Sequence, residues 1–220
     1  MISELRKRLL TTLFLVPSIL LMYTNKYFFT LSILIISLAS IFEFIRLMKK
    51  IFKKKYFYII FFSISGFLYI SLFSLIFYDL NTPEINDVRL TLKRYIWYML
   101  FTCVASDIGG YVIGKLFKGP KLTKFSPNKT ISGSIGSFVF SILVLSALMM
   151  VEKSFNLYIP ILAFITSLGC QLGDIFFSFL KRKAKIKDTG NILPGHGGIL
   201  DRIDGILFGI PLGIFGMWLL

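Results

Sequence analysis

Long apolar runs dominate this chain and leave it few folds to choose from. Its polar residues are gathered into short stretches, and the runs between them approach the roughly 20 residues that a bilayer-crossing helix needs. Inside a bilayer every backbone N–H and C=O must be satisfied internally, so only helices and closed barrels can span it. The runs are continuous rather than alternating, which excludes barrel strands. About seven candidate spans result, at 9–24, 27–47, 56–78, 95–117, 132–151, 157–180 and 203–220. The first is short and contains Pro17. The expected fold is an all-α, polytopic integral membrane helix bundle, a single membrane domain over 1–220. Its first 94 residues supply N-terminal spans, and 95–220 hold the helices and loops equipped for chemistry. Composition agrees, since only 16% of residues are charged, against about a quarter in a soluble domain.

Charge orients the bundle. With the N-terminus inside, the basic residues clustered at 6–8, 46–55, 115–129 and 181–202 all fall on the cytoplasmic side. Only Lys26, Arg89, Lys93, Arg94 and Lys153 remain outside. This bias predicts a cytoplasmic N-terminus and an outer C-terminus. It accounts for most of the formal charge of +14, with attraction to anionic lipid or nucleotide as the second reading. Nucleic acid is not expected as a partner, because the basic residues sit in short loops between spans. Arg6, Lys7 and Arg8 precede an apolar stretch without a small-residue cleavage site, so a retained first span is expected. Cys103 and Cys170 lie inside apolar runs and read as small core residues, with no disulfide or metal framework.

Acids inside spans are expensive, at roughly 2.5–3.5 kcal/mol for Asp on insertion scales. Four stand out: Glu43, Asp107, Asp174 and Asp204. The topology puts all of them near the cytoplasmic ends of their helices. Asp107 precedes Lys115, and Asp174 precedes Lys181, by distances that place both about 10–12 Å below the basic rim. Acids at one depth beneath a basic rim suit Mg²⁺, which takes few protein carboxylates and completes its shell with phosphate oxygens and water. The competing reading is an interfacial ion pair that only fixes helix packing. That reading is preferred for Glu43, with Arg46 at i+3, and is level with the metal reading for Asp107. Asp174 favours the functional reading, because Ser178 and Lys181 share its helical face.

Two polar loops carry the remaining chemistry. The first runs from Asp107-Ile108-Gly109-Gly110 through Ser126-Pro127-Asn128-Lys129-Thr130 to Ser132-Gly133. Small residues let backbone approach a ligand, and Lys129, Ser126 and Thr130 offer donors to phosphate. Ser132 could also simply cap the following helix. The loop lacks the P-loop spacing. The second is denser: Ser178, Lys181-Arg182, Lys187-Asp188, Pro194-Gly195-His196-Gly197-Gly198, then Asp201-Arg202-Ile203-Asp204. The glycine-rich turn surrounds the only histidine, and Asp201 and Asp204 share a face if the last helix begins near them.

At these residues the chain resembles the phosphatidate cytidylyltransferases, or CDP-diacylglycerol synthases. Their signature is a Ser ahead of a Leu-Lys-Arg-like step, then Lys-Asp, then Pro-Gly-His-Gly-Gly, then Asp-Arg-x-Asp. Every element is present between Ser178 and Asp204. The 106–133 block is similar to a second conserved region of that family, so the resemblance covers about 95–210. The resemblance implies transfer of a cytidylyl group from CTP to phosphatidate in the bilayer, giving CDP-diacylglycerol and pyrophosphate for phospholipid synthesis. It implies Mg²⁺ held by Asp174 and Asp201 with Asp204 nearby, and a second, monovalent cation such as K⁺ as an option; Asp107 is a further candidate ligand by its depth alone. Asp174, Asp201, Asp204, His196, Lys187 and Asp188 would form the catalytic set. Ser178, Lys181, Arg182, Arg202, Lys129, Ser126, Thr130, Gly197 and Gly198 would bind phosphate. The expected location is the inner or plasma membrane with the site facing the cytoplasm; a homo-oligomer stays open. The nearest rival is a CTP-using enzyme acting on a polyprenol or prenyl phosphate. From another class, an ion-binding transporter would need acids deep in several spans, and a lipid-binding scaffold would need neither the acids nor the glycine turn.

Overall fold

The computed structural model describes residues 17–18, 21–22, 24–79, 87–192 and 197–220. Six long helices run in chain order: α1 (Lys26–Phe52), α2 (Tyr56–Asp79), α3 (Asp87–Phe117), α4 (Ile131–Val151), α5 (Tyr158–Lys183) and α6 (Leu200–Leu219). Each is long and apolar enough to cross a membrane, and no strand occurs among the described residues. The protein is an all-helical membrane protein. The candidate span at 9–24 lies mostly outside the described residues.

Helices overrun the apolar windows that mark them in the sequence. The stretch 79–94, expected as an outer loop, is helical from Asp87 onward. Likewise α6 begins at Leu200, so Asp201 and Asp204 both lie within it, and Asp201 sits in its first turn. Hydropathy marks the buried length of a helix, whereas its hydrogen-bonded backbone continues into the polar margin, where charges suit the helix ends.

Contacts divide the chain into two units, 1–83 with 180–203, and 84–179 with 204–220. In the first unit, α1 starts at Asn25, whose side-chain oxygen accepts from the Tyr27 and Phe28 amides at 3.0 and 3.1 Å. That satisfies two of the amides a helix start leaves open. Lys49 and Lys50 occupy the last turn of α1, where the dipole favours cations. The inward face of α2 is Ile59, Gly66, Ile70 and Phe77. A methyl at Gly66 would lie 2.1 Å from the Phe44 ring, so α1 and α2 approach closely there. The rest of α2 shows Phe57, Ile60, Phe61, Ile64 and Leu72 outward, the all-round apolar surface of a helix set in lipid.

In the second unit, small residues set the helix spacing. A Cβ on Gly109 would stand 2.4 Å from the Gly136 carbonyl oxygen, and one on Gly136 would stand 2.6 Å from that of Gly109. Lipid supplies no hydrophobic drive between helices, so close backbone contact of this kind holds α3 to α4. α5 meets α6 in the same way: a Cβ on Gly173 would stand 2.4 Å from the Asp204 carbonyl oxygen. Cys103 and Cys170 are buried free thiols. Within α3, Arg94 and Tyr98 bind Glu152 at 3.1 and 2.8 Å.

Candidate functional site

In the second unit a short turn delivers a lysine to an acid. Pro127 pre-sets the backbone for the turn Ser126–Lys129, which closes with the Lys129 amide donating to the Ser126 carbonyl at 3.1 Å. Thr123 Oγ1 accepts from the Ser126 amide at 3.2 Å. The Leu122 amide donates to the Lys129 carbonyl at 2.8 Å and the Ile131 amide to that of Pro120 at 3.0 Å, so the chain doubles back into α4. Thr130 caps α4, its hydroxyl accepting from the Gly133 amide at 3.1 Å. Ser132, the alternative cap in the sequence, instead donates to the Lys118 carbonyl.

Lys129 Nζ, carried by this turn, forms an ion pair with Asp174 Oδ2 on α5. Both residues line a cavity of about 290 Å³, together with Asp107, Asn128, Thr130, Ser134 and Gln171. Asp107 and Asp174, expected at one depth, both line this cavity. Gln171 and Ser134 were missed. Gln171 lies one helical turn before Asp174, and its Oε1 accepts from the Ser134 hydroxyl. Behind it, Ser167 and Ser106 hydroxyls are 2.9 Å apart, and Ser137 donates to the Ser106 carbonyl at 2.8 Å. This polar row anchors the back of the cavity. A stripe of Ser and Gln inside apolar runs was the available signal, though such residues also occur wherever helices pack closely. Gly205 packs on Asp174, since a Cβ there would lie 2.8 Å from Asp174 Oδ1. The neighbouring Asp204 accepts from the Gly205 amide at 3.0 Å.

In the first unit, Asp201 gathers the second loop around itself. Its Oδ1 receives Lys181 Nζ at 2.8 Å. Its Oδ2 accepts from the Thr189 amide at 2.8 Å and the Gly198 amide at 3.0 Å, with the Thr189 hydroxyl also at 3.0 Å. The pair is largely dry, the Lys181 and Asp201 side chains being 12% and 6% exposed. Gly197 has φ +86°, a left-handed conformation that favours glycine. Glu43 does not pair with Arg46 as expected. It is buried, accepting from the Thr189 hydroxyl at 2.8 Å and from the Leu200 and Ile199 amides at 2.9 and 3.2 Å. Arg46 lies over the Phe42 ring. These partners lie more than a hundred residues along the chain, beyond the reach of an i+3 rule.

The remaining candidates are more open. Lys187, Asp188, Arg182 and Arg202 are exposed, and Arg182 also donates to the Ile186 carbonyl at 3.4 Å. Ser178 is half-buried on α5. His196 lies outside the described residues, as do Leu193, Pro194 and Gly195.

The donor chemistry of the second-unit cavity fits Mg²⁺. Asp107 and Asp174 present hard carboxylate oxygens, flanked by the Gln171 amide and the Ser134 hydroxyl. Mg²⁺ takes one or two carboxylates and fills its shell from phosphate and water. Among the described residues, no group of three or more His, Cys, Asp or Glu side chains could hold a metal ion. Asp201 is more committed: with two amides and a Thr189 hydroxyl shared with Glu43 on Oδ2, and Lys181 on Oδ1, it keeps one acceptor position on Oδ1.

Known proteins are similar to this chain over part of its length. A phosphatidate cytidylyltransferase of Staphylococcus saprophyticus is 37% identical over 145 residues, 64% of this chain and 55% of the relative. One from Helicobacter pylori is 43% identical over 123 residues, 56% of this chain and 46% of the relative. One from Staphylococcus aureus is 43% identical over 129 residues, 57% of this chain and 50% of the relative. The chain thus spans about half the length of the curated relatives it matches. The model of the cytidylyltransferase family matches residues 4–220, a stretch that includes the Lys129–Asp174 cavity, the Lys181–Asp201 cluster and the helices that carry them, so the chain belongs to the cytidylyltransferase family.

Proposed function

We propose that this protein transfers a cytidylyl group from CTP to phosphatidate. A phosphate oxygen of the lipid attacks the α-phosphorus of CTP, the α–β phosphoanhydride bond breaks, and CDP-diacylglycerol and pyrophosphate form. The observation that carries this reading is the polar cavity in which Lys129, Asp174 and Asp107 converge within an otherwise apolar unit. Family membership and the names of the relatives support it.

The chemistry suits these side chains. The nucleophile is already anionic near neutral pH, so a strong general base is hardly required. The obstacle is repulsion between a phosphomonoester and a triphosphate, so catalysis rests on positioning and on charge stabilisation. Lys129 neutralises phosphate charge at the cavity, with Ser126 and Thr130 on the same turn as further donors. Asp174 and Asp107 would hold Mg²⁺, which would supply charge screening for the phosphates and the leaving pyrophosphate. By resemblance Asp201 and Asp204 are further candidate ligands, Asp201 through the acceptor position left on its Oδ1, with K⁺ as an optional second cation. Arg182, Lys187, Arg202 and Gly197 serve phosphate binding, while Lys181 and the Gly198 amide, phosphate binders by resemblance, are engaged with Asp201. Asp188 supports that loop, and His196 donates to a phosphate or a leaving oxygen. The protein sits in the cell membrane with this chemistry on the cytoplasmic side, where the basic clusters belong by the positive-inside rule. The acyl chains stay in the bilayer while the headgroup enters.

The test is a substrate panel on protein purified in detergent. CTP and dCTP are each offered with phosphatidate and with prenyl phosphates, and lipid products are separated. CDP-diacylglycerol formation is expected with phosphatidate. Product only from prenyl phosphate would shift the assignment to the rival acceptor, and no product from a folded protein with any long-chain phosphatidate would reject the reading.

A further inference from the structure

A buried acid far from the signature residues organises them. Glu43, on α1, is 1% exposed, yet a carboxylate in such a place is costly unless its oxygens are well bonded. Its Oε2 receives the Thr189 hydroxyl at 2.8 Å and the Leu200 amide at 2.9 Å, and its Oε1 receives the Ile199 amide at 3.2 Å. Ile199 and Leu200 begin α6, where open amides and the helix dipole favour a negative group. Two glycines make room for it. A Cβ on Gly190 would lie 2.3 Å from Oε1, and one on Gly198 would lie 2.4 Å from Oε2. Five loop and helix-start residues therefore close on one carboxylate that α1 supplies.

Thr189 links this acid to Asp201. Its hydroxyl lies 2.8 Å from Glu43 Oε2 and 3.0 Å from Asp201 Oδ2. The hydroxyl has a single hydrogen, so it serves one carboxylate at a time, while the Thr189 amide holds Asp201 Oδ2 independently at 2.8 Å. Thr189 is buried. Asp201 in turn fixes Lys181.

We propose that Glu43 is a positioning residue, which acts through Thr189 and the Gly198–Leu200 backbone to set the Asp201–Lys181 pair. The inference rests on the cytidylyl-transfer reading for its kinetic consequence, but its structural half stands apart from it. Supports of this kind cost about 10- to 100-fold in activity when removed.

The experiment joins two readouts on the full chain in detergent. Hydrogen exchange is followed over the Lys187–Ile203 peptides, and kcat and KM for CTP are measured with phosphatidate. The variants are Glu43→Gln, Thr189→Val, Thr189→Ser and the Glu43→Gln/Thr189→Val double. Glu43→Gln is expected to speed exchange at Ile199 and Leu200 and to lower kcat about tenfold or more, with KM for CTP changed less. Thr189→Val, close in shape, should lower kcat similarly, and Thr189→Ser should restore it. The double variant should lose little beyond the worse single, because both act through one chain of contacts. Wild-type exchange in Glu43→Gln would overturn the proposal whatever the activity. So would multiplicative kcat losses in the double variant, or no recovery with serine. If the wild type fails to turn over phosphatidate, the functional reading falls, while the exchange data still decide whether Glu43 holds the loop.

Discussion

Two lysine–carboxylate pairs anchor the polar chemistry of this chain, and their surroundings differ. Around Lys181 and Asp201 the side chains are 12% and 6% exposed, and backbone amides and a threonine occupy nearly every acceptor position of the acid. Around Lys129 and Asp174 the side chains are 32% and 16% exposed, and both face a cavity of about 290 Å³ shared with Asp107. A saturated, dry pair holds structure, since breaking it strands a buried charge. A pair that opens on a cavity can trade its partner for a ligand. By hydration and spare acceptors, the first pair suits a brace and the second the proposed reaction surface.

The sharpest way to break this contrast is to neutralise each lysine. Lys181→Met leaves Asp201 buried without its cation and should destabilise the protein by about 3–5 kcal/mol, read as a lower unfolding temperature in detergent. Asp174→Asn should cost at least about 100-fold in turnover, or about 2.7 kcal/mol of barrier, while the unfolding temperature stays near that of the wild type. Lys129→Met should behave like Asp174→Asn but more mildly, at about tenfold or more in kcat/KM. If Lys129→Met unfolds the protein and Lys181→Met only slows it, the two roles are reversed. The smallest effect is expected from Thr130→Ala, which removes the α4 cap behind Lys129 and should cost about 1 kcal/mol of stability.

Much of this architecture can be read from the chain. Apolar runs mark the six described helices, because a bilayer leaves the backbone no alternative to a helix. They do not mark the helix ends: Asp87–Arg94 and Leu200–Arg202 are helical but polar enough to resemble loop. Asp107 and Asp174 stand out because an acid inside a span is costly, and depth alone suggested that they share a level. Glu43 shows the limit of such reasoning. It was equally conspicuous, but its nearest base in sequence was not its partner. Its partners, Thr189, Ile199 and Leu200, become neighbours only once α1 packs against the loop. Gln171 and Ser134 were obscured for a different reason, since small and polar residues in spans serve packing as often as ligand binding.

The central claim is that cytidylyl transfer to phosphatidate occurs at carboxylates that need a divalent cation. The direct measurement uses CTP labelled in the cytosine ring, with phosphatidate in mixed micelles, and counts lipid-borne cytidylate against pyrophosphate with and without Mg²⁺. Equal amounts of CDP-diacylglycerol and pyrophosphate, formed only with the cation and lost in Asp174→Asn, are predicted. Pyrophosphate without a matching lipid product, or full turnover in the presence of a chelator, would contradict the account.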